Sequence, residues 1–207
     1  MGGPAYRVET PRLVIRCWSP ADAELLQRAI AESIAHLRPW MPWAHQEPEG
    51  LDAKIERLRR FRGAFDLGQD FVYGIFDPAE TAVLGGTGLR TRAGERAREI
   101  GYWIHADHVR QGYATEAAMA LTRVAFEIDG VERVEINCDP RNRASAAIPE
   151  RIGFRLESIL KRDLLGVDGE PRDTMVWSMS TEHFSTSRAK TASIRVFDVL
   201  GREMALQ

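Results

Sequence analysis

Residues 98–118 constrain this chain more than any other stretch, because they predict a strand, a tight turn and a helix start in direct succession. An apolar, β-prone run ends at Ile104, a short polar turn follows, and Gly112 and Ala114 open a segment with helical apolar spacing. A glycine turn at a helix N-terminus points several backbone N–H groups in one direction, which binds a phosphate or pyrophosphate without a charged side chain. The stretch therefore predicts a site for a phosphate-bearing cofactor.

The composition is that of one globular domain. The chain has 207 residues, of which 44% are hydrophobic and 28% charged, enough for a single well-buried core. A formal net charge of −2 indicates no broad surface for nucleic acid. The arginines of one predicted helix are interpreted as a solvated face; they are Arg57, Arg59, Arg60 and Arg62.

Neither a membrane location nor a metal cofactor is expected. No window reaches the roughly 18 apolar residues of a membrane span, and the N-terminus lacks the apolar core of a signal peptide. The positions of Cys17 and Cys138 suggest neither a metal site nor a disulfide framework, and the five histidines show no metal-ligand spacing. We therefore expect a reducing, cytoplasmic setting.

The hydrophobic periodicity predicts an α/β domain of the α+β type, with a mixed, mostly antiparallel sheet of about seven strands flanked by helices. The predicted strands are residues 12–18, 71–77, 82–91, 98–105, 133–138, 155–165 and 172–180. The last two are expected to form a hairpin around Val167, Asp168, Gly169 and Glu170. Helices are expected after Pro20, over residues 51–66, after Gly112 and before Gly153.

The domain is assigned to residues 8–182, and residues 183–207 are interpreted as a linker and tail. Residues 185–193 are polar, as is typical of a linker. The apolar segment from Ile194 onwards is either an extra strand and turn or a partly ordered tail, and the pattern favours neither.

Four short motifs occur in a fixed order. They are TPRLVIR at residues 10–16, LRPWMPW at 37–43, EIGYWI at 99–104 followed by RQGYATEA at 110–117, and NRAS at 142–145 followed by ERIGF at 150–154. Together they resemble the GNAT superfamily of acetyl-CoA-dependent N-acetyltransferases, in particular its RimJ/RimL-like branch. The resemblance extends from about Pro11 to Ser180.

This resemblance implies a GNAT-like fold and a binding site for acetyl-CoA as co-substrate. The CoA pyrophosphate would be held by backbone N–H groups of Arg110, Gln111, Gly112, Tyr113, Ala114 and Thr115. The strand residues Tyr102, Trp103 and Ile104 would pair through their backbone with the pantetheine amides. Asn142 and Ser145 would line the other side of that arm, although both residue types also favour helix N-caps. Val109 departs from the family pattern, which usually has Arg or Gln three residues before the glycine.

The implied reaction is the attack of a neutral amine on an acetyl thioester. It requires a base for the ammonium proton, donors for the oxyanion and an acid for the leaving thiolate. Glu99 is the predicted base, acting through water, with a surface carboxylate as the alternative. Ser145 is the predicted acid, because Pro149 occupies the position of the tyrosine acid of many superfamily members. Pro149 is also expected to kink or shorten its helix.

The acceptor side is assigned to Trp40, Trp43 and Cys138. The two tryptophans form either a hydrophobic lid over the acceptor cleft or core packing under the proline-containing loop. Cys138 lies seven residues before Ser145, a spacing that resembles RimL-type enzymes. A buried, small apolar side chain is the alternative for Cys138.

The sequence thus leads to the hypothesis of an N-acetyltransferase acting on a primary amine by direct attack in a ternary complex, with a protein N-terminus as acceptor. A small-molecule amine (an aminoglycoside, polyamine or amino acid) and a non-catalytic acyl-CoA-binding module are the alternatives. No nucleic-acid or membrane partner is expected, and a homodimer is left open.

Overall fold

The computed structural model describes residues 3–166 and 169–206. Within these ranges the strands are β1 (Arg7–Glu9), β2 (Val14–Cys17), β3 (Phe71–Phe76), β4 (Val83–Arg90), β5 (Ala97–Ile104), β6 (Arg133–Cys138), β7 (Arg155–Leu165), β8 (Pro171–Ser180) and β9 (Arg195–Phe197). The α-helices are α1 (Ala23–Leu37), α2 (Leu51–Asp66), α3 (Tyr113–Glu127), α4 (Arg143–Ile152) and α5 (Thr181–Phe184). Every strand and helix expected from the sequence is present, with ends that differ by a few residues.

All of the described strands belong to one sheet in the order β7-β8-β6-β5-β4-β3-β2-β1-β9. Every neighbouring pair is antiparallel except β5 and β6, which run parallel. The predicted mixed, mostly antiparallel sheet is confirmed, but it has nine strands rather than about seven. The two additional strands, β1 and β9, have three residues each, too few to produce a periodic pattern.

The C-terminal segment from Ile194 forms the strand and turn that the sequence offered as one alternative. β9 pairs with β1, and the facing side chains Val8 and Val196 are both fully buried. The polar segment expected to be a linker instead packs against α3. Its Ala189 is fully buried, and Arg123 donates to the Ala192 carbonyl at 2.7 Å.

Two apolar clusters cover opposite faces of the sheet. One holds α1 and α2 against the sheet and includes Leu26 and Leu58, whereas the other includes Leu121 of α3 and Ile148 of α4. Because side chains alternate along a strand, neighbouring residues of β5 face different clusters. In the predicted hairpin, Val167 and Asp168 lie outside the described residues.

Candidate active site

The parallel strands β5 and β6 separate in the middle of the sheet. Their pairing ends at Glu99 opposite Glu135, whereas β5 continues to pair with β4 as far as Ile104 and β6 with β8 as far as Cys138. Past Glu99, one edge of β5 therefore has backbone groups without a strand partner. Such an edge can bind an extended chain that carries amide groups.

A cleft of about 940 Å³ opens at this separation. Eight of the predicted site residues line it: Trp40, Trp43, Glu99, Tyr102, Trp103, Cys138, Asn142 and Ser145. Ile104 is buried and is not part of the lining, and neither are residues 110–115. The structure therefore brings the predicted catalytic and acceptor residues together and places the glycine turn beyond the end of β5.

The glycine turn presents free backbone donors. Within the described residues, the amides of residues 110–115 donate no hydrogen bond, and the first α3 amides have no intrahelical acceptor. Arg110 (φ +61°) and Gly112 (φ +84°) both adopt left-handed backbone conformations. Consecutive free N–H groups in this geometry can form a concave anion site. The assignment of residues 110–115 to a phosphate stays a prediction.

Arg12, from the first motif, holds this turn in place. Its guanidinium donates to the Gln111 carbonyl at 2.9 Å and to the Glu116 carboxylate at 2.7 Å, and it lies over the Tyr113 ring. Thr10 also donates to Glu116, at 2.6 Å. The first motif therefore fixes the start of α3, a contact over more than 100 positions that no local pattern could reveal.

Glu99 is the last residue of β5 that pairs with β6, and its carboxylate is nearly buried at the cleft wall. Both of its oxygens accept hydrogen bonds from Arg92, one of them at 2.7 Å from Nε. Arg92 is mostly exposed and also lines the cleft. The predicted base is thus a carboxylate with a cationic partner at the point where the strands part.

Ser145 is held by several groups at the start of α4. Asn142 is the N-cap of this helix and accepts from the Ser145 amide at 3.1 Å, so the capping interpretation of Asn142 is correct in geometry. The Tyr102 hydroxyl donates to the Ser145 carbonyl at 3.2 Å and lies 3.3 Å from Ser145 Oγ. Burial raises the pKa of the nearby Cys138 thiol.

Pro149 does not shorten α4. The helix continues to Ile152, with Pro149 buried inside it and Gly153 ending it in a left-handed conformation. Of the two expected effects of Pro149, shortening does not occur, and α4 ends before Gly153 as the sequence predicted. A kink at Pro149 stays a prediction.

The tryptophans form an apolar wall on the other side of the cleft. The rings of Trp43 and Trp103 meet edge to face with centroids 6.1 Å apart. Gly86 of β4 makes room for Trp103, because a Cβ at this position would lie 2.5 Å from the indole nitrogen. Trp43 and Trp103 both pack against the α1/α2 cluster while lining the cleft, so lid and core packing are compatible descriptions.

Sequence reasoning missed the arginines of the cleft. Among the described residues, the lining includes the arginines Arg57, Arg60, Arg90, Arg92 and Arg172 and the acids Glu49, Glu99 and Asp139. Arg57 is half-buried and pairs with Glu49, so the interpretation of the α2 arginines as one solvated face is only partly correct. The i, i+3 spacing of Arg57 and Arg60 was the available signal for a shared face.

Metal-ligand clusters and membrane-spanning helices are both absent from the described residues. No group of three or more His, Cys, Asp or Glu side chains in residues 3–166 and 169–206 is arranged to hold a metal ion. Over the same ranges, none of the helices has the length and apolar character that crossing a bilayer requires.

A family model for the acetyltransferase (GNAT) domain matches residues 12–155. The chain belongs to the GNAT acetyltransferase family, an enzyme class that transfers acetyl groups from acetyl-CoA. Its relatives place it among the RimJ/RimL-like N-acetyltransferases. The [ribosomal protein uS5]-alanine N-acetyltransferase of Escherichia coli (strain K12) is 30% identical over 89% of this chain and 96% of its own length.

Solved structures share the fold. RimJ of Mycobacterium smegmatis, in complex with CoA-disulfide, matches 90% of this chain and 91% of its own chain with a TM-score of 0.75 and 24% identity. The microcin C7 self immunity acetyltransferase MccE, in complex with acetyl-CoA and AMP, matches 83% of this chain and 93% of its own chain with a TM-score of 0.75 and 20% identity.

Proposed function

We propose that this N-acetyltransferase moves the acetyl group of acetyl-CoA to the α-amine at the N-terminus of a protein. The observation that carries the proposal is the separation of β5 from β6, which opens into a cleft lined by tryptophans and arginines, with the free amides of residues 110–115 beyond the end of β5. The similarity to a ribosomal-protein N-acetyltransferase supports a protein acceptor. A cytoplasmic location remains our expectation for an enzyme with such a substrate.

The donor half of the site fits acetyl-CoA. Six free backbone amides at a helix N-terminus match a diphosphate in charge and geometry. The unpaired edge of β5 at Tyr102, Trp103 and Ile104 matches a pantetheine arm, which contains two amide groups. Acetyl-CoA supplies the acetyl group as a thioester, and the protein residues bind, orient and transfer protons.

The charge of the cleft favours a protein N-terminus over a polycation. In the described lining the arginines outnumber the acids by five to three, and the acids all face arginine: Glu49 pairs with Arg57, Glu99 with Arg92 and Asp139 with Arg172 and Arg141. Aminoglycosides and polyamines need unpaired carboxylates to bind their several cations. A peptide whose α-amine is followed by neutral or acidic residues does not carry several cations, so it does not need unpaired carboxylates in the cleft.

In the proposed mechanism the amine attacks the thioester directly in a ternary complex. Glu99 takes the ammonium proton through water, and Ser145 gives a proton to the leaving sulfur while it regains one from the attacking nitrogen as the tetrahedral intermediate collapses. The acceptor pocket is lined by Trp40, Trp43 and Cys138. None of these steps needs a covalent acetyl-enzyme, which is consistent with the buried, protonated state of the Cys138 thiol.

The test is a panel of amines assayed with acetyl-CoA, measuring free CoA thiol and product mass. The panel contains an alanine-starting peptide with one internal lysine, the same peptide already acetylated at its N-terminus, a polyamine and an aminoglycoside. We expect turnover of the free peptide alone, with the added mass on the α-amine. Turnover of the polyamine or aminoglycoside without the peptide would contradict the acceptor assignment.

A further inference from the structure

Pro149 creates a gap in the hydrogen bonding of α4. In an α-helix the N–H of residue 149 would bond the carbonyl of residue 145, and proline has no N–H. The carbonyl that loses its partner is therefore that of Ser145, the proposed acid. Pro149 and its neighbour Ile148 are both buried, and an unpaired carbonyl inside a helix costs free energy unless another donor reaches it.

The Tyr102 hydroxyl fills this gap from a different element. It donates to the Ser145 carbonyl at 3.2 Å, across 43 positions in the sequence, and lies 3.3 Å from Oγ of the same residue. Burial raises the pKa of Tyr102 well above that of a free tyrosine. The hydroxyl therefore remains a proton donor at any pH at which the enzyme works.

The same contact bridges the cleft. Tyr102 belongs to β5 beyond Glu99, where β5 no longer pairs with β6, and Ser145 belongs to the helix that follows β6. The hydroxyl thus joins the strand proposed to carry the thioester to the helix proposed to supply the acid. With Asn142 at its amide and Tyr102 at its carbonyl, Ser145 is fixed on both sides of its Cα atom.

We propose that Tyr102 is a positioning residue for Ser145, and that its hydroxyl takes the place of the backbone donor that Pro149 lacks. Tyr102 itself transfers no proton to the reacting atoms. The catalytic part of this inference rests on the proposed function, whereas the coupling between Tyr102 and Pro149 is a property of the folded protein alone.

The coupling can be tested with a double-mutant cycle of Tyr102→Phe, Pro149→Ala and the pair. Tyr102→Phe alone leaves the Ser145 carbonyl unbonded, so we expect the Tm to fall by about 5 °C. In the Pro149→Ala background, the helix provides its own N–H to that carbonyl. The further fall caused by Tyr102→Phe is then expected to shrink to less than about half.

Tyr73 supplies a matched control. Its hydroxyl donates to the Ala5 carbonyl at 2.9 Å, so it is another buried tyrosine bonded to a backbone oxygen, far from α4 in the sequence. Tyr73→Phe is expected to lower the Tm by the same amount whether residue 149 is proline or alanine. If Pro149→Ala folds poorly because it leaves a cavity, Pro149→Val supplies the same N–H with a larger apolar side chain.

The kinetic readout separates positioning from packing. We expect Tyr102→Phe to lower kcat by about 10-fold or more while the KM for acetyl-CoA changes by less than about 2-fold. In the Pro149→Ala background the loss in kcat is expected to be restored to within about 3-fold. A loss of equal size in both backgrounds would overturn the proposal, because Tyr102 would then act independently of the Ser145 backbone.

The two failures are distinguishable. Additive Tm changes would overturn the coupling whatever the enzyme acetylates, and non-additive Tm changes with additive kcat changes would overturn the positioning role. If no amine in the panel is acetylated by the wild-type chain, the proposed function fails, and the Tm cycle still decides whether Tyr102 replaces the missing donor.

Discussion

Glu99 illustrates how one residue can serve two purposes at the cleft. Its backbone makes the last pair between β5 and β6, and its carboxylate accepts two hydrogen bonds from Arg92. A carboxylate held in this way is fixed in orientation, which a base acting through water requires.

Glu99→Gln is expected to lower kcat by about 100-fold, because the amide cannot accept the ammonium proton, with little change in acetyl-CoA affinity. The matched control is Arg92→Gln, which breaks the same ion pair but keeps the carboxylate, and its loss should be several times smaller. Steady-state kinetics and acetyl-CoA titration of both variants provide the comparison. Equal losses would mean that Glu99 only anchors Arg92.

At this scale the sequence predicted which residues meet but not how they bond. The motifs correctly brought Cys138, Asn142 and Ser145 to one cleft. The bond from Tyr102 to Ser145 was not predictable, since it depends on the direction of a side chain on a distant strand. The roles of the α2 arginines were hidden for the same reason, because a charged helix face has the same pattern whether it lines a cleft or contacts bulk water.

Among the elements, the turn between β5 and α3 contains two residues whose backbone is in the left-handed region. Arg110 tolerates a left-handed conformation that costs a non-glycine residue about 1 kcal/mol, and Gly112 adopts a similar one without that cost. The contacts from Arg12 to Gln111 and Glu116 hold the strained turn. The result is a rigid set of donors that needs no rearrangement to bind an anion.

Gly112→Glu is expected to weaken acetyl-CoA binding by at least about 100-fold, because it places a side chain and a negative charge against the free amides. Gly112→Ala is the control, since it adds the same backbone strain without the carboxylate. Isothermal titration with acetyl-CoA measures both, and circular dichroism checks that the fold is intact. Indistinguishable affinities for the two variants would remove residues 110–115 from the phosphate site.

Most element boundaries were predictable because hydrophobic periodicity is a local signal. α2 and β6 occupy the residues expected for them. α4 also ends where expected, but the shortening that Pro149 predicts does not occur, and a hydroxyl from β5 bonds the carbonyl that the proline cannot reach. Local rules fail in this way when tertiary structure provides a compensating partner.

At the scale of the whole molecule, the C-terminal strand β9 forms one edge of the sheet. The fully buried Val196 packs opposite Val8 of β1, so residues far apart in sequence form one edge of the core. A three-residue strand gives no periodic signal, and its pairing is set by tertiary packing. For this reason the sequence could not decide between a strand and a tail.

Val196→Asp is expected to lower the free energy of unfolding by about 3 kcal/mol or more, because it buries a charge without a partner. Val199→Asp is the matched control: Val199 is 56% exposed, and its replacement should change stability by less than about 0.5 kcal/mol. Chemical denaturation followed by fluorescence measures both. Equal stability of the two variants would show that β9 adds nothing to the core.

The short parallel contact between β5 and β6 has a mechanical consequence. It divides the sheet into a block of six strands and a block of three, joined within the sheet only by the pairs that Ala97, Arg98 and Glu99 make with Arg133, Val134 and Glu135. Because these pairs join the two blocks, the width of the cleft depends on the angle that they set. Substitutions at Ala97, Arg98, Arg133 or Val134, which are not part of the cleft lining, would therefore change the affinity for a bound chain by changing this angle.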